Sequence, residues 1–179
     1  MPSQKEYYYA GNSLFKKFKD SLLIITGILG AFIIILGFTQ TPAQLYYVVG
    51  SGLLLLTAIY FKLTYFMGLE SILLAGHGAI LLGLGNVIQF VLPILLCIQL
   101  LVYYFLSGQL RNVFRWIGMI GIVLLSLGFT FTRVWVFFLG SLCIAIFSFY
   151  HVFRGRYVAL IWATLNLFFA LSTGLIILF

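Results

Sequence analysis

At 179 residues the chain has the length of a single domain. Its composition excludes an ordinary soluble one: 64% of the residues are hydrophobic, 7% are charged, and the mean hydropathy is +1.19. A soluble domain carries about a quarter charged residues, and ten Lys/Arg with three Asp/Glu cannot solvate a chain of this size, so its solvent must be lipid. The net charge of +7 is not a nucleic-acid footprint, because the basic residues fall where topology puts them.

The apolar runs are continuous and do not alternate, which excludes a barrel and predicts helices. A bilayer core about 30 Å thick takes roughly 20 apolar residues per span. Residues 1–20 form the one polar stretch of any length. Tyr7-Tyr8-Tyr9 supplies an interfacial aromatic cluster, and Leu14-Phe15-Lys16-Lys17-Phe18-Lys19 mixes apolar and basic residues as a short surface-lying helix would. Lys16, Lys17 and Lys19 are placed to meet anionic lipids or to serve as a plain topology anchor. With the first apolar run starting at Ser21 and no small-residue cleavage site after it, no cleavable leader is expected.

Spans are expected over residues 21–38, 45–61, 69–86, 91–107, 113–130, 134–151 and 157–179. The third and fourth divide at a turn within Gly85–Pro93, where Gly83, Gly85, Asn86 and Pro93 supply the breaking chemistry. Cys97 and Cys143 lie inside apolar runs without CxxC spacing and read as small core residues. Seven spans put Lys5, Lys16, Lys17, Lys19, Lys62, Arg111, Arg115, Arg154 and Arg156 on one side and Arg133 alone on the other. The Lys/Arg excess marks the first side as cytoplasmic, with the N-terminus inside and the C-terminus outside.

The segment Thr26–Thr41 returns ninety-one residues later as Ile117–Thr132. Gly27/Gly118, Gly30/Gly121, Leu36/Leu127, Gly37/Gly128, Phe38/Phe129, Thr39/Thr130 and Thr41/Thr132 coincide. After a one-residue deletion, Gly50-Ser51 meets Gly140-Ser141 and Tyr60 meets Tyr150. Glycines and threonines in register mark an internal repeat. The expected fold is therefore an all-α integral membrane protein of about seven transmembrane helices, arranged 3+1+3 with a parallel internal repeat. Its parts are a cytoplasmic N-terminal segment (1–20), a first three-helix unit (21–89), a linker helix (90–110) and a second three-helix unit (111–179). The linker helix restores a common orientation to the two units, so they are related by an axis along the membrane normal. The recurring glycines are expected at helix–helix contacts.

Polar groups at membrane depth are costly and mark candidate sites. His77 in the third span and Asn166 in the seventh occupy nearly equivalent repeat positions, and both are expected about two turns in. Glu70 lies two turns before His77, near the cytoplasmic edge. Glu70, His77 and Asn166 could form a substrate or proton path, with the histidine suited to pH gating; the competing reading is helix-packing glue. Gln89 and Gln99 are further candidates. Arg133 either snorkels to the interface or holds an anion or headgroup. His151, Arg154 and Arg156 belong to the cytoplasmic charge cluster, and Asp20 reads as a helix-start residue. No GxSxG, HExxH, CxxC or P-loop occurs, no span pairs two carboxylates, and the last span has no lysine for a retinal Schiff base. No enzyme activity, cofactor or metal is expected.

The texture of Gly27-x-x-Gly30, Gly37, Pro42 in the outer turn, then Gly50 and Gly52 resembles the HdeD-type acid-resistance membrane proteins over residues 21–155. That resemblance implies a small bacterial inner-membrane protein of repeated hairpins with a stress- or pH-linked role. Pro93 in the second outer turn fits; Arg133 stands where a third proline would, and a seventh helix exceeds the family's six. The 3+1+3 plan is also similar to the SWEET and PQ-loop carriers, though the first helix of each triplet lacks their Pro-Gln pair. Two functions follow as expectations. The first is a non-enzymatic protein of the bacterial cytoplasmic membrane in stress tolerance, or a subunit of a homo-oligomer or larger complex. The alternative is a small-solute or proton-coupled transporter with its site between the repeats. The bilayer and anionic lipids are expected partners, nucleic acid is not.

Overall fold

A computed structural model of the chain describes the backbone of residues 4–179 and the side chains of residues 16–179 apart from Thr130. Within these residues it is all-helical: α1 Gln4–Gly37, α2 Ala43–Tyr60, α3 Thr64–Leu81, α4 Asn86–Leu106, α5 Val113–Phe131, α6 Val134–Phe153 and α7 Leu160–Leu178, with 3-10 turns at Gln109–Arg111 and Tyr157–Ala159. Six helical stretches among the described residues are long and apolar enough to cross a membrane; the described apolar stretch of α5, Val113–Phe129, is shorter.

Local chemistry stops the helices. At the end of α3, Gly83 takes φ +64°. Its N–H bonds the Ile80 carbonyl at 3.0 Å while the Leu84 N–H reaches Ala79 at 3.0 Å, the paired geometry that satisfies the last carbonyls of a helix. Asn112 begins α5 by accepting the Phe114 N–H at 2.9 Å.

Consecutive helices pack on one another, and α1 also meets α7 while α3 meets α5. Trp162, Phe66, Phe147, Leu54, Leu69 and Ile122 are fully buried at the centre. The outer faces carry Leu22, Ile25, Leu29 and Phe32 of α1 and Leu171, Leu175 and Ile176 of α7, all exposed. An apolar rim around an equally apolar centre is what lipid solvation requires. Small residues set the closest approaches: a Cβ on Gly30 would come within 2.8 Å of the Gly50 carbonyl, and one on Gly121 within 2.8 Å of Ile144. Lys16, Lys17, Lys19, Lys62, Arg111, Arg154 and Arg156 lie at one end of the bundle, hereafter the basic end. The turns at 38–42, 82–85 and 132–133 lie at the far end.

Three expectations change. The third and fourth helices part at Leu82–Gly85, not within Gly85–Pro93, and Pro93 is buried inside α4. Gly83 supplies the left-handed turn, whereas a proline is tolerated within a helix whose neighbours satisfy the freed carbonyl. The third helix therefore runs Thr64–Leu81 instead of 69–86, which moves Glu70 inward from the helix edge. At the N-terminus, Lys16, Lys17 and Lys19 are exposed on a helix that continues unbroken from Gln4 to Gly37, so no separate surface-lying helix forms. The Tyr7-Tyr8-Tyr9 side chains lie outside the described residues.

Candidate functional site

Across the centre of the bundle α3 faces α7. Glu70, in the second turn of α3, is 1% exposed. Its Oε1 accepts a hydrogen bond from the Trp162 Nε1–H of α7 at 2.7 Å. Ser51 of α2 lies beside the carboxyl, yet Oε2 makes no hydrogen bond of acceptable geometry. One turn beyond Trp162, the Asn166 amide donates to the Trp162 carbonyl at 3.0 Å. That bond holds the Asn166 side chain against its own helix and leaves its oxygen free to accept. His77, one further turn out on α3 than Asn166 is on α7, sits edge-on to Phe129 of α5 at 4.4 Å and tilted over Tyr47 of α2 at 4.8 Å.

Glu70, His77 and Asn166 line one cavity of about 20 Å³, together with Ser51, Tyr47 and Phe129. A space of roughly 10–15 Å³ is enough for one water-sized guest, so the cavity has room for a guest of that size. Measured from the Glu70–Trp162 level, Asn166 is four and His77 seven residues further out, about 6 and 10 Å along their helices. The expected equal depth of His77 and Asn166 is thus off by about one turn. The shift of α3 toward the chain's N-terminus produces it, and puts His77 in the last turns of its helix.

The cavity is closed toward the basic end. Phe66 stacks on Trp162 at 4.5 Å and 26°, Tyr65 packs on Phe147 at 4.0 Å, and His151 lies 4.5 Å from Phe147. The Tyr65 hydroxyl donates to the Gly118 carbonyl at 2.7 Å, tying this layer to α5. His151 belongs to the aromatic layer and not to the exposed charge cluster, and its Nδ1 has no partner. Toward the far end, a second cavity of about 180 Å³ is lined by Phe38, Thr132, Arg133 and Thr173 and shares Tyr47, Phe129 and Phe137 with the first. Those three rings border both spaces. Arg133 is exposed at the mouth of this vestibule, where α6 begins.

The remaining candidates lie elsewhere. Gln89 donates to the Leu84 carbonyl in its own turn and borders a space of about 10 Å³ behind His77, with Pro93 and Ser126. Gln99 is on the exposed face of α4, and Lys16, Lys17 and Lys19 are on the exposed surface of α1. Among the described residues no three His, Cys, Asp or Glu gather as a metal set.

No family model, no curated protein and no solved structure matches this chain.

Sequence reasoning missed Trp162, Tyr47, Ser51 and Phe66. Ser51 carried a signal, since Gly50-Ser51 recurs as Gly140-Ser141 and both serines are fully buried. Trp162 carried none: an aromatic in an apolar helix is ordinary until its N–H is seen to meet a carboxylate.

Proposed function

We propose that the chain is a membrane carrier that couples movement of a small solute to protonation or cation occupancy at Glu70. Its frame is two three-helix units joined by α4 and related by an axis along the membrane normal. Paired contacts support that frame. Gly30 abuts Leu54 and Gly121 abuts Ile144, which are repeat equivalents. Tyr60 bonds Asp20 at 2.7 Å between the basic ends of α2 and α1, while Asn112 bonds the Tyr150 hydroxyl at 2.5 Å between those of α5 and α6. The α1–α7 contact has its counterpart in α5–α3. The basic end is read as cytoplasmic by the Lys/Arg rule, so the aromatic layer closes the inside and the Arg133 vestibule faces out.

The observation that carries the function is the fully buried Glu70 carboxyl, which has one well-formed hydrogen bond, from Trp162, and only the Ser51 hydroxyl beside its second oxygen. An ionised carboxylate at this depth is expensive unless each oxygen meets a donor or a cation. Packing glue would satisfy both oxygens, whereas a coupling site leaves one for an exchangeable guest. Its position between the two units, with a vestibule on one side and a closed layer on the other, is where such a guest would change sides.

Purified protein in liposomes with an entrapped pH dye tests this. Proton uptake would be followed alone and with added amino acids, sugars and small organic acids. Uptake above that of empty vesicles is expected, and Glu70→Gln should reduce it at least tenfold while the protein still elutes as a single species. Wild-type vesicles indistinguishable from empty ones under every condition would overturn the carrier reading. The scaffold or complex-subunit role, including one in acid stress, would then stand in its place.

A further inference from the structure

The two flanks of the bundle are unequally covered. On one flank α4 packs against both α3 and α5. Its Leu100 meets Gly68 of α3 so closely that a Cβ there would lie 2.7 Å away. On the other flank, the equivalent pair α7 and α1 has no covering helix among the described residues, and a groove of about 470 Å³ remains. It is lined by Ile24, Ile28, Phe32 and Ile35 of α1 with Leu160 and Thr164 of α7. The difference is readable at matched positions: Met119 and Ile122 of α5 are 4% and 0% exposed, while their counterparts are Ile28 at 53% and a partly buried Ala31.

A second feature points at what belongs there. The outer face of α4 is an apolar stripe, Val91, Leu95, Ile98, Val102 and Phe105, interrupted by Gln99. That amide is exposed on an otherwise lipid-compatible face, and its side chain makes no hydrogen bond among the described residues. An amide facing hydrocarbon is unfavourable, whereas amides and hydroxyls between helices hold spans together. Two residues in the groove carry a hydroxyl, Tyr157 at its basic end and Thr164 two turns further in. The Thr164 hydroxyl donates to the Leu160 carbonyl at 2.9 Å, leaving its oxygen able to accept an amide N–H. Gln99 is seven residues from the end of α4 at Leu106, and Thr164 seven from Tyr157. Both are therefore about 10 Å from the basic end.

We propose that the α1/α7 groove is the seat of α4 from a second copy of this chain, with Gln99 of one copy bonded to Thr164 of the next. The inference rests on the two-fold relation of the halves set out above. Polarity agrees: α4 runs opposite to α3 and α5, and a second copy in the same membrane orientation would present it opposite to α7 and α1. Because seat and plug occupy opposite flanks, the contact is heterologous and continues from copy to copy as a ring or a row.

Cysteine cross-linking of the full chain in liposomes tests it, in a background with Cys97 and Cys143 replaced by alanine. Two differently tagged copies, one Ile28→Cys and one Ile98→Cys, are co-reconstituted and oxidised. A product carrying both tags is expected, with at least a fivefold loss of yield when Gln99→Leu is added to the Ile98→Cys copy. Two intramolecular pairs are run in parallel: Gly68→Cys with Leu100→Cys, and Gly27→Cys with Ile161→Cys. If both intramolecular links form and the mixed product does not, the groove is not a seat for a second copy; monomers that retain phospholipid in native mass spectrometry would identify lipid as its occupant. If the intramolecular links themselves fail, the two-fold frame falls. A mixed product insensitive to Gln99→Leu would also overturn the assigned pairing.

Discussion

Trp162 does two things with one ring: its face covers Phe66 and its N–H holds Glu70. Removing only the N–H separates them. Trp162→Phe keeps an aromatic face in the closing layer and deprives a fully buried carboxyl of its one well-formed hydrogen bond. Leaving a buried acceptor unsatisfied costs about 1–3 kcal/mol, so the variant should unfold several degrees lower in detergent. Glu70→Leu combined with Trp162→Phe should cost less than the sum of the two, because the acceptor that needed the donor is gone. Thermal unfolding of the four proteins in that cycle measures the difference; strict additivity would mean that the Trp162–Glu70 bond does not form. His77 behaves differently. Its contacts are ring packing on Tyr47 and Phe129, so His77→Phe is expected to leave stability nearly unchanged and to alter only flux. Equal loss of stability in His77→Phe and Trp162→Phe would return His77 to the role of packing glue.

At the level of helices, Gly30, Gly50, Gly121 and Gly140 sit at close helix contacts while Gly52 does not, and the neighbouring pair Gly50 and Gly52 tests the difference. A Cβ on Gly50 would lie 2.7 Å from the Gly30 carbonyl and closer still to Ile34, while one on Gly52 meets nothing within 4 Å. Gly50→Ala should cost about 1–3 kcal/mol through forced separation of α1 and α2. Gly52→Ala should be neutral, or stabilising by up to about 1 kcal/mol from helix propensity. Denaturation of the two variants side by side decides it, and Gly140, whose Cβ would sit 2.8 Å from the Leu125 Cα, should follow Gly50. The glycines at the α1–α2 and α5–α6 contacts were legible in the chain because close backbone approach leaves a residue-type signature. The helix count was legible for the same kind of reason: lipid demands uninterrupted apolar length. What could not be read was the division between α3 and α4. Glycines and a proline both break helices on average, and only the conformation at Gly83 and the packing of Pro93 against Gly76 tell which one does. Glu70, His77 and Asn166 could be singled out because polar groups are rare in such a chain. Their common cavity depends on side-chain direction across three helices, which sequence does not encode locally.

In the whole molecule the two ends of the bundle are unlike, and on the proposed carrier reading the units forming them are repeats of one another. The basic end is shut by the Phe66–Trp162 stack and the Tyr65–Phe147 pair, and the far end opens to about 180 Å³ beside Arg133. Two similar units in unlike arrangements imply that the opposite pairing is accessible at modest energy, since similar contacts are exchanged on each side. Among the described residues, the rings of this layer are mutually packed and hydrogen-bonded to the frame through Tyr65 and Trp162, so opening there breaks few hydrogen bonds. Accessibility to a membrane-impermeant maleimide follows from this. In the background with Cys97 and Cys143 replaced by alanine, Thr132→Cys should react from outside at rest. Leu69→Cys, which lines the cavity behind the layer and leaves its rings in place, should react from neither side at rest, and from inside once a proton gradient drives turnover. In the Glu70→Gln protein, Leu69→Cys should no longer change its reactivity with the gradient, because the group that senses the guest is gone while the aromatic layer remains. Reactivity of Leu69→Cys from inside at rest, or labelling of a C-terminal tag from the cytosolic side, would contradict the closed inner layer or the orientation on which it depends.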